Sequence, residues 1–173
     1  MKSVHIRLLD LDDVQLLLEF EQCNRTWFES QIEARPNDFY SSKGVRQHID
    51  EMLMAYAVRR VYPCLLVDES GAILGRANLK NIQQAEGCAE VGYRIGFEHQ
   101  GKGMATKALA HLIKCAREEW ELRQLHAYVT DDNLASSRVL QKSGFKADDV
   151  VLGLATVNQR ALNGKRYTLI LAT

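Results

Sequence analysis

A glycine-containing turn that leads into an amphipathic segment is the part of the sequence with the clearest chemical use. The turn runs from His99 to Ala105, contains Gly101 and Gly103, and is followed by apolar residues at helical spacing as far as Trp120. The first backbone N–H groups of a helix have no partner within it and lie at the positive end of its dipole, so they bind anions. Glycines let the backbone approach such a ligand closely. The turn is therefore a candidate diphosphate site.

Periodicity and turn residues predict the elements that precede this turn. Alternating apolar residues indicate strands, and apolar residues three and four positions apart indicate helices. The predicted order is a strand at 5–9, a helix capped by Asp10, Asp12 or Asp13, a short helix and irregular loop at 24–39, a helix capped by Ser41 or Ser42, and strands at 64–67, 73–79 and 88–95.

The elements after the turn are shorter and end in a predicted hairpin. A helix follows the turn directly, then a strand at 125–129 and a compact helix at 133–143 that Gly144 closes. The last two strands are predicted at 150–154 and 167–171, with a turn at Asn163-Gly164 just before the final strand. The sequence contains no repeat or linker, so the 173 residues predict one domain, 1–173.

Composition narrows the class of partner. The 22 Lys and Arg residues balance 22 Asp and Glu residues, so no long-range attraction toward nucleic acid or an anionic membrane is expected. Cys23, Cys64, Cys88 and Cys115 lack the paired spacing of zinc or redox sites and are interpreted as reduced thiols, and no metal is expected. Because no signal peptide or membrane-spanning run is found, a cytoplasmic protein is predicted.

Three segments in register resemble the GNAT acetyltransferase superfamily. They are residues 90–95, 100–105 and 133–140, the last followed by Gly144 and Phe145. Within the superfamily the chain looks most like the ribosomal-protein-alanine N-acetyltransferase branch, strongly over about 60–147 and by topology elsewhere. The resemblance implies an α/β (α+β) fold with a mixed, mostly antiparallel sheet of about six to seven strands and about four helices.

The resemblance also implies acetyl-CoA as co-substrate and assigns residues to it. The backbone of Tyr93, Arg94 and Ile95 is expected to contact the pantetheine, and the amide of Arg94 or Ile95 to stabilise the thioester oxygen. Asn133 is expected to bind the pantetheine arm, although an asparagine here is also a good helix cap. The implied ligands of the pyrophosphate are Gln100, Gly101, Lys102, Gly103, Met104 and Ala105.

The acid and base are less strongly marked. Where the family's simplest N-terminal acetylases carry a glutamate and a tyrosine, this sequence has Tyr128 and Leu140. The ribosomal-protein-alanine branch instead implies that Ser136 protonates the CoA thiolate, and Glu90 is the best candidate for the base. The alternatives are a Ser136 hydroxyl that bonds to the preceding turn and a Glu90 that is a surface carboxylate.

The acceptor is the least determined part of the prediction. Trp27 and Phe28, with Phe39, are predicted to wall its pocket, and Tyr128 or His126 to line it. Acidic residues between positions 19 and 39 suit a cationic amine, although an ordinary solvated helix face explains them equally.

The expected reaction is direct attack of a primary amine on acetyl-CoA while both substrates are bound. A protein N-terminus is one candidate acceptor, and polyamines, aminoglycosides or amino acids are others. A non-catalytic acyl-CoA-binding module is the alternative from another class. Exposed strands at the sheet edge make a homodimer possible.

Overall fold

The computed structural model describes residues 3–171 and shows one mixed sheet flanked by helices. The strands are β1 (Val4–Leu8), β2 (Tyr62–Asp68), β3 (Ile73–Gln83), β4 (Cys88–Ile95), β5 (Gln124–Thr130), β6 (Lys146–Val157) and β7 (Arg160–Ile170). The helices are α1 (Val14–Cys23), α2 (Arg25–Glu29), α3 (Ser42–Ala57), α4 (Met104–Glu118) and α5 (Leu134–Lys142). Short 3-10 turns lie at Leu11–Asp13, Asn37–Phe39 and Phe97–His99. The described part thus has five helices, against the about four that the resemblance implied, and α2 is the short helix that the sequence predicts within 24–39.

The sheet has the order β1-β2-β3-β4-β5-β7-β6 and is antiparallel except between β4 and β5. These two parallel strands pair at only three positions, the last being Glu90 with His126. Beyond Glu90 they diverge, while β4 stays paired with β3 as far as Ile95. A gap therefore opens in the middle of the sheet, and the expected mixed, mostly antiparallel architecture is confirmed.

Apolar residues cover both faces of the sheet because β2 alternates between two cores. Leu66 belongs to the cluster beneath α4, whereas Leu65 and Val67 belong to the cluster beneath α1 and α3. The wide apolar stripe of α4 supplies Leu109 and Leu112, both fully buried. The site therefore lies between two packed layers that fix the ends of β4 and α4.

Side-chain caps fix the starts of three segments where the sequence predicts them. Asp10 and Asp13 form a reciprocal capping box before α1. The Ser41 hydroxyl accepts a hydrogen bond from the Gly44 amide at 3.0 Å at the start of α3. Asn133 caps α5 in the same way.

The predicted turn at Asn163-Gly164 is wrong. The chain reverses at Asn158-Gln159, where both residues have left-handed φ angles of 49° and 62°, as a two-residue hairpin requires. The flanking strands are longer than predicted, and Gly164 lies inside β7. A Cβ at Gly164 would clash with the carbonyl oxygen of Val129, so this glycine permits close strand approach and not a turn.

Two further features of residues 3–171 bear on function. None of their helices is both long and apolar enough to span a membrane. Their His, Cys, Asp and Glu side chains form no group of three or more that is placed to hold a metal ion.

Candidate active site

The gap between β4 and β5 exposes backbone groups at the end of β4. The Gly96 amide donates to the Leu74 oxygen at 2.9 Å, so Gly96 faces β3. Backbone groups alternate along a strand, and therefore those of Arg94 also face β3, while those of Tyr93 and Ile95 face the gap. Of the two amides expected to stabilise the thioester oxygen, only that of Ile95 has this orientation, and the Arg94 amide is engaged in the ladder.

The glycine turn forms an open cradle next to this gap. The Gln100 side chain donates from Nε2 to the Ile95 oxygen at 2.7 Å and so ties the turn to β4. Gly101 and Gly103 have φ angles of 69° and 77°, and a Cβ at either would meet no atom within 4 Å. The first helical bond joins the Lys107 amide to the Gly103 oxygen at 3.0 Å, so the three amides that follow Gly103 precede the helical ladder.

A first cavity of about 400 Å³ lies in front of the cradle and the open end of β4. Lys102 is exposed and is not part of its lining. The lining includes ten of the residues predicted to bind acetyl-CoA, namely Tyr93, Arg94, Ile95, Gln100, Gly101, Gly103, Met104, Ala105, Asn133 and Ser136. A pocket of this size, with amides and glycines at one end, can hold part of an extended anionic ligand.

A second cavity of about 450 Å³ lies against the polar face of β3 and β4. Its lining includes Glu90 and Tyr128, two of the predicted catalytic and acceptor residues. Both cavities are lined by Gln31, Ile32, Tyr93, Arg94, Asn133 and Ser136. The two cavities therefore share a wall at the point where β4 leaves β5.

Three polar groups lie at this shared wall. The Asn133 Oδ1 accepts from the Ser136 amide at 3.2 Å, so the predicted cap role is present. The Tyr93 hydroxyl is buried and has no hydrogen-bond partner among the described residues. Burial raises the pKa of the Tyr93 phenol, and the neighbouring Ser136 side chain opposes this increase. The phenol thus has Ser136 as a hydrogen-bonding neighbour but no bond short enough to satisfy it, and a ligand can complete its hydrogen bonding.

Glu90 lies at the last position where β4 pairs with β5. Its Oε2 is 3.7 Å from the Lys80 Nζ, and its side chain is 24% exposed. The carboxylate is thus partly buried and faces the second cavity, as a base that acts through water requires. His126 is held by Thr168 and Gln124, burial lowers its pKa, and it does not line the cavity.

The aromatic residues predicted for the acceptor pocket lie at different places. Trp27 and Phe28 line the first cavity and not the second. Phe39 is buried in the core beneath α1 and α3. Tyr128 lines the second cavity and is 40% exposed. This placement favours contact of Trp27 and Phe28 with the acyl donor.

A buried arginine cluster beside the second cavity has no counterpart in the sequence prediction. Glu21 is fully buried, and its carboxylate pairs with Arg76 at 2.7 Å and with Arg94 at 3.2 Å. Burial acts to raise the pKa of Glu21, but the positive charges of Arg76, Arg94 and Arg35 outweigh it and hold the pKa below its usual value. Arginines within otherwise apolar strands were the only sequence signal for this cluster.

His48 completes the cluster as a neutral acceptor. The Arg76 Nη2 lies 2.7 Å from the His48 Nε2. Burial and the charge of Arg76 lower the pKa of His48 to about 3, so the imidazole stays uncharged at neutral pH. His48 therefore contributes no negative charge, and Glu21 is the carboxylate that compensates both Arg76 and Arg94.

The chain matches the family described as "Acetyltransferase (GNAT) domain" over residues 3–146. It therefore belongs to the GNAT acetyltransferases and is an acyltransferase that acts on amines, which confirms the resemblance drawn from the three sequence segments.

Individual proteins agree with this assignment. The chain is 28% identical to "Probable N-acetyltransferase YjcK" of Bacillus subtilis over 91% of this chain and 88% of that protein. The crystal structure of ribosomal-protein-S5-alanine acetyltransferase from Vibrio fischeri superposes with a TM-score of 0.93 at 20% identity, covering 99% of this chain and 94% of that one. Spermidine N-acetyltransferase from Vibrio cholerae, in complex with CoA and spermine, gives 0.83 at 18% identity, covering 97% and 95%.

Proposed function

We propose that this protein transfers the acetyl group of acetyl-CoA to a primary amine, with both substrates bound at once. The observation that carries the proposal is that two cavities meet at the β4–β5 gap, one of them ending at an anion-binding cradle. Binding both reactants in adjacent cavities replaces a bimolecular encounter, which accounts for much of the rate in such a reaction.

The chain's own residues divide the chemistry between the two cavities. Amides of the glycine turn hold the pyrophosphate, and the Asn133 side chain and the end of β4 hold the pantetheine arm. The Ile95 N–H donates to the thioester oxygen as that oxygen gains negative charge. Glu90 accepts a proton from the acceptor ammonium through water, and Ser136 donates one to the departing thiolate.

The acceptor is proposed to be a peptide N-terminus, with small-molecule amines as the second candidate. The similarity to an S5-alanine acetyltransferase supports the first, and the similarity to a spermidine acetyltransferase supports the second. A homodimer through β1 or β6, which form the sheet edges, remains a prediction.

Acetyl-CoA turnover against an amine panel tests the proposal. Thiol release is followed with peptides that begin in alanine or serine, with spermidine and with an aminoglycoside. Release that depends on the amine is expected for at least one class. Binding of acetyl-CoA by calorimetry without release for any amine would favour the non-catalytic module, and no binding at all would overturn the proposal.

Replacing Glu90 with glutamine is expected to lower kcat/KM about a hundredfold at neutral pH, because the amide keeps the size of the side chain but cannot accept a proton. The deficit should shrink as the pH rises and more of the acceptor is already the neutral amine. The pH profile of kcat/KM measures this. Glu118→Gln removes a surface carboxylate that also pairs with a lysine, at 3.9 Å, and should leave the profile unchanged. An equal loss at every pH would contradict the role as base.

Replacing Ser136 with alanine is expected to lower kcat about tenfold to a hundredfold, at the low end of general-acid effects because a thiolate is a stable leaving group. The acetyl-CoA KM should change little if the hydroxyl acts only late in the reaction. Ser137 is the next residue of α5 and lines a separate cavity, so Ser137→Ala is the matched control. Steady-state kinetics with both variants decides between the donor role and a purely local hydrogen bond.

A further inference from the structure

Three cross-strand pairs lie on the face of β3 and β4 that lines the second cavity, and the net charge differs from one pair to the next. The register places Arg76 opposite Arg94, Asn78 opposite Gly92, and Lys80 opposite Glu90. Lys80 and Glu90 lie 3.7 Å apart and balance each other. Arg76 and Arg94 are like charges side by side, an arrangement that is unfavourable without a counter-charge. The cavity is therefore neutral at one end and positive at the other.

Arg35 adds a third guanidinium at the positive end. It lines the same cavity, and its buried Nε has no hydrogen-bond partner among the described residues. Its guanidinium lies over the Phe39 ring, 4.4 Å from the centroid, which holds the side chain in place. Burial and the charge of Arg76 lower the pKa of Arg35, as expected for a cation without sufficient counter-charge.

Carboxylates near this end do not balance the three arginines. Glu21 is already bound by Arg76 and Arg94 together. Of the carboxylates that line the cavity, Glu90 pairs with Lys80, and Glu33 is exposed to solvent. A buried excess of positive charge is costly unless an anion compensates it. The unpaired Arg35 Nε–H is the donor available to such an anion.

Asn78 provides a hydrogen-bond acceptor between the arginine end of the cavity and the Lys80–Glu90 end. Its Oδ1 is buried and has no hydrogen-bond partner among the described residues, so it can accept from an amine. Along each strand the Asn78 position lies two residues from the arginine pair, roughly 7 Å away. The cavity thus has an acceptor for nitrogen and a donor for an anion at separate positions.

We propose that the second cavity selects an acceptor amine that also carries an anionic group, a carboxylate or a phosphate. Arg35 binds the anion beside the Arg76–Arg94 pair, while the Asn78 Oδ1 accepts a hydrogen bond from the nitrogen and Glu90 remains the base that acts through water. A guanidinium fits both kinds of oxyanion with paired hydrogen bonds. This inference rests on the proposed function and names its substrate class. It differs from the expectation of a purely cationic acceptor, which was based on the acidic residues at 19–39. Among those residues only Glu33 lines the cavity.

Matched pairs of amines that differ only in the anion test the proposal by acetyl-CoA turnover. The pairs are an N-terminal Ala-Glu peptide amide against Ala-Gln, 4-aminobutyrate against its amide, and phosphoethanolamine against ethanolamine, with spermidine as the polycation. The anionic member of at least one pair is expected to have at least about tenfold higher kcat/KM, and the pair that responds identifies the source of the anion. Equal rates within every pair, or spermidine as the best acceptor, would overturn the proposal.

Variants at two arginines separate recognition from a general charge effect. Arg35→Gln is expected to bring the ratio within the responding pair close to one, and Arg35→Lys to keep part of the preference. Arg46 is an exposed arginine on α3 that lines neither cavity, so Arg46→Gln removes the same charge and should preserve the ratio. A ratio that falls equally in both glutamine variants would assign the preference to the overall field and contradict the role of Arg35.

A binding measurement decides the question without turnover. With CoA present to fill the first cavity, calorimetry with inorganic phosphate is expected to detect binding to the wild type and to Arg46→Gln that is lost in Arg35→Gln. No such difference, together with no turnover of any anionic amine, would overturn the anion site while CoA binding still supports the proposed function. Failure of CoA itself to bind would instead overturn the proposed function.

Discussion

Replacing Gly103 with valine is expected to remove measurable acetyl-CoA binding from a protein that still folds. Gly103 has a φ of 77°, and a Cβ at this position would meet no atom within 4 Å. A branched side chain there occupies the position where turn amides meet a phosphate. Losing two charge-assisted hydrogen bonds at about 2 kcal/mol each weakens binding on the order of a thousandfold. Calorimetry with acetyl-CoA measures the loss.

A second glycine supplies the control for backbone strain. Gly71, in the turn between β2 and β3, also has a left-handed φ of 86° and no atom within 4 Å of a Cβ. Valine at either position is strained by about 1–2 kcal/mol, so both variants should lose a similar amount of thermal stability. Only the Gly103 variant should lose acetyl-CoA. Loss of binding in both, or in neither, would contradict the cradle as the pyrophosphate site.

Replacing Glu21 with glutamine is expected to lower the free energy of unfolding by about 3–5 kcal/mol, because it leaves buried guanidiniums without a counter-charge. Glu21 is fully buried and is bound by both Arg76 and Arg94. Urea denaturation measures the change. Glu19 lies on the same helix, is exposed, and accepts a hydrogen bond only from Gln15 at 2.8 Å among its described contacts. Glu19→Gln is therefore the matched control and should change stability little.

The same variant predicts a pH dependence with a definite sign. The arginines hold the pKa of Glu21 below its usual value, so the folded state binds this proton less tightly than the unfolded chain. Such a carboxylate stabilises the fold fully above its unfolded pKa and loses that stabilisation as the pH falls through the lower folded pKa. The stability difference between wild type and Glu21→Gln should therefore be largest near neutrality and shrink in acid. A difference that grows on acidification would contradict this reading.

Much of the donor side of the site was predictable because its signals are local. The glycine turn, the strand before it and the caps at Ser41 and Asn133 each depend on a few consecutive residues, and the structure has the strand at Cys88–Ile95 as predicted. The hairpin at the end of the chain was misplaced because Asn163-Gly164 has the composition of a turn, whereas Gln159 seldom adopts a left-handed conformation.

The acceptor side was not predictable because its contacts join distant parts of the chain. Glu21 reaches Arg76 across 55 residues and Arg94 across 73. The position of Arg76 and Arg94 within predicted strands was the one local signal, and it does not reveal a partner. The acidic residues near Glu21 suggested the opposite electrostatic character for the acceptor pocket. Only the tertiary structure shows that the Glu21 carboxylate is paired with buried arginines and does not face the acceptor.

The early parting of β4 from β5 has a consequence for the exchange of amide hydrogens with deuterium. The amides of Tyr93 and Ile95 lie on a central strand yet face away from any ladder, so they should exchange as rapidly as those of an edge, while the Arg94 amide between them is protected. A ligand that lies along the gap would take the place of a neighbouring strand and slow the exchange of the Tyr93 and Ile95 amides. Exchange measured at these three consecutive residues would therefore report ligand binding.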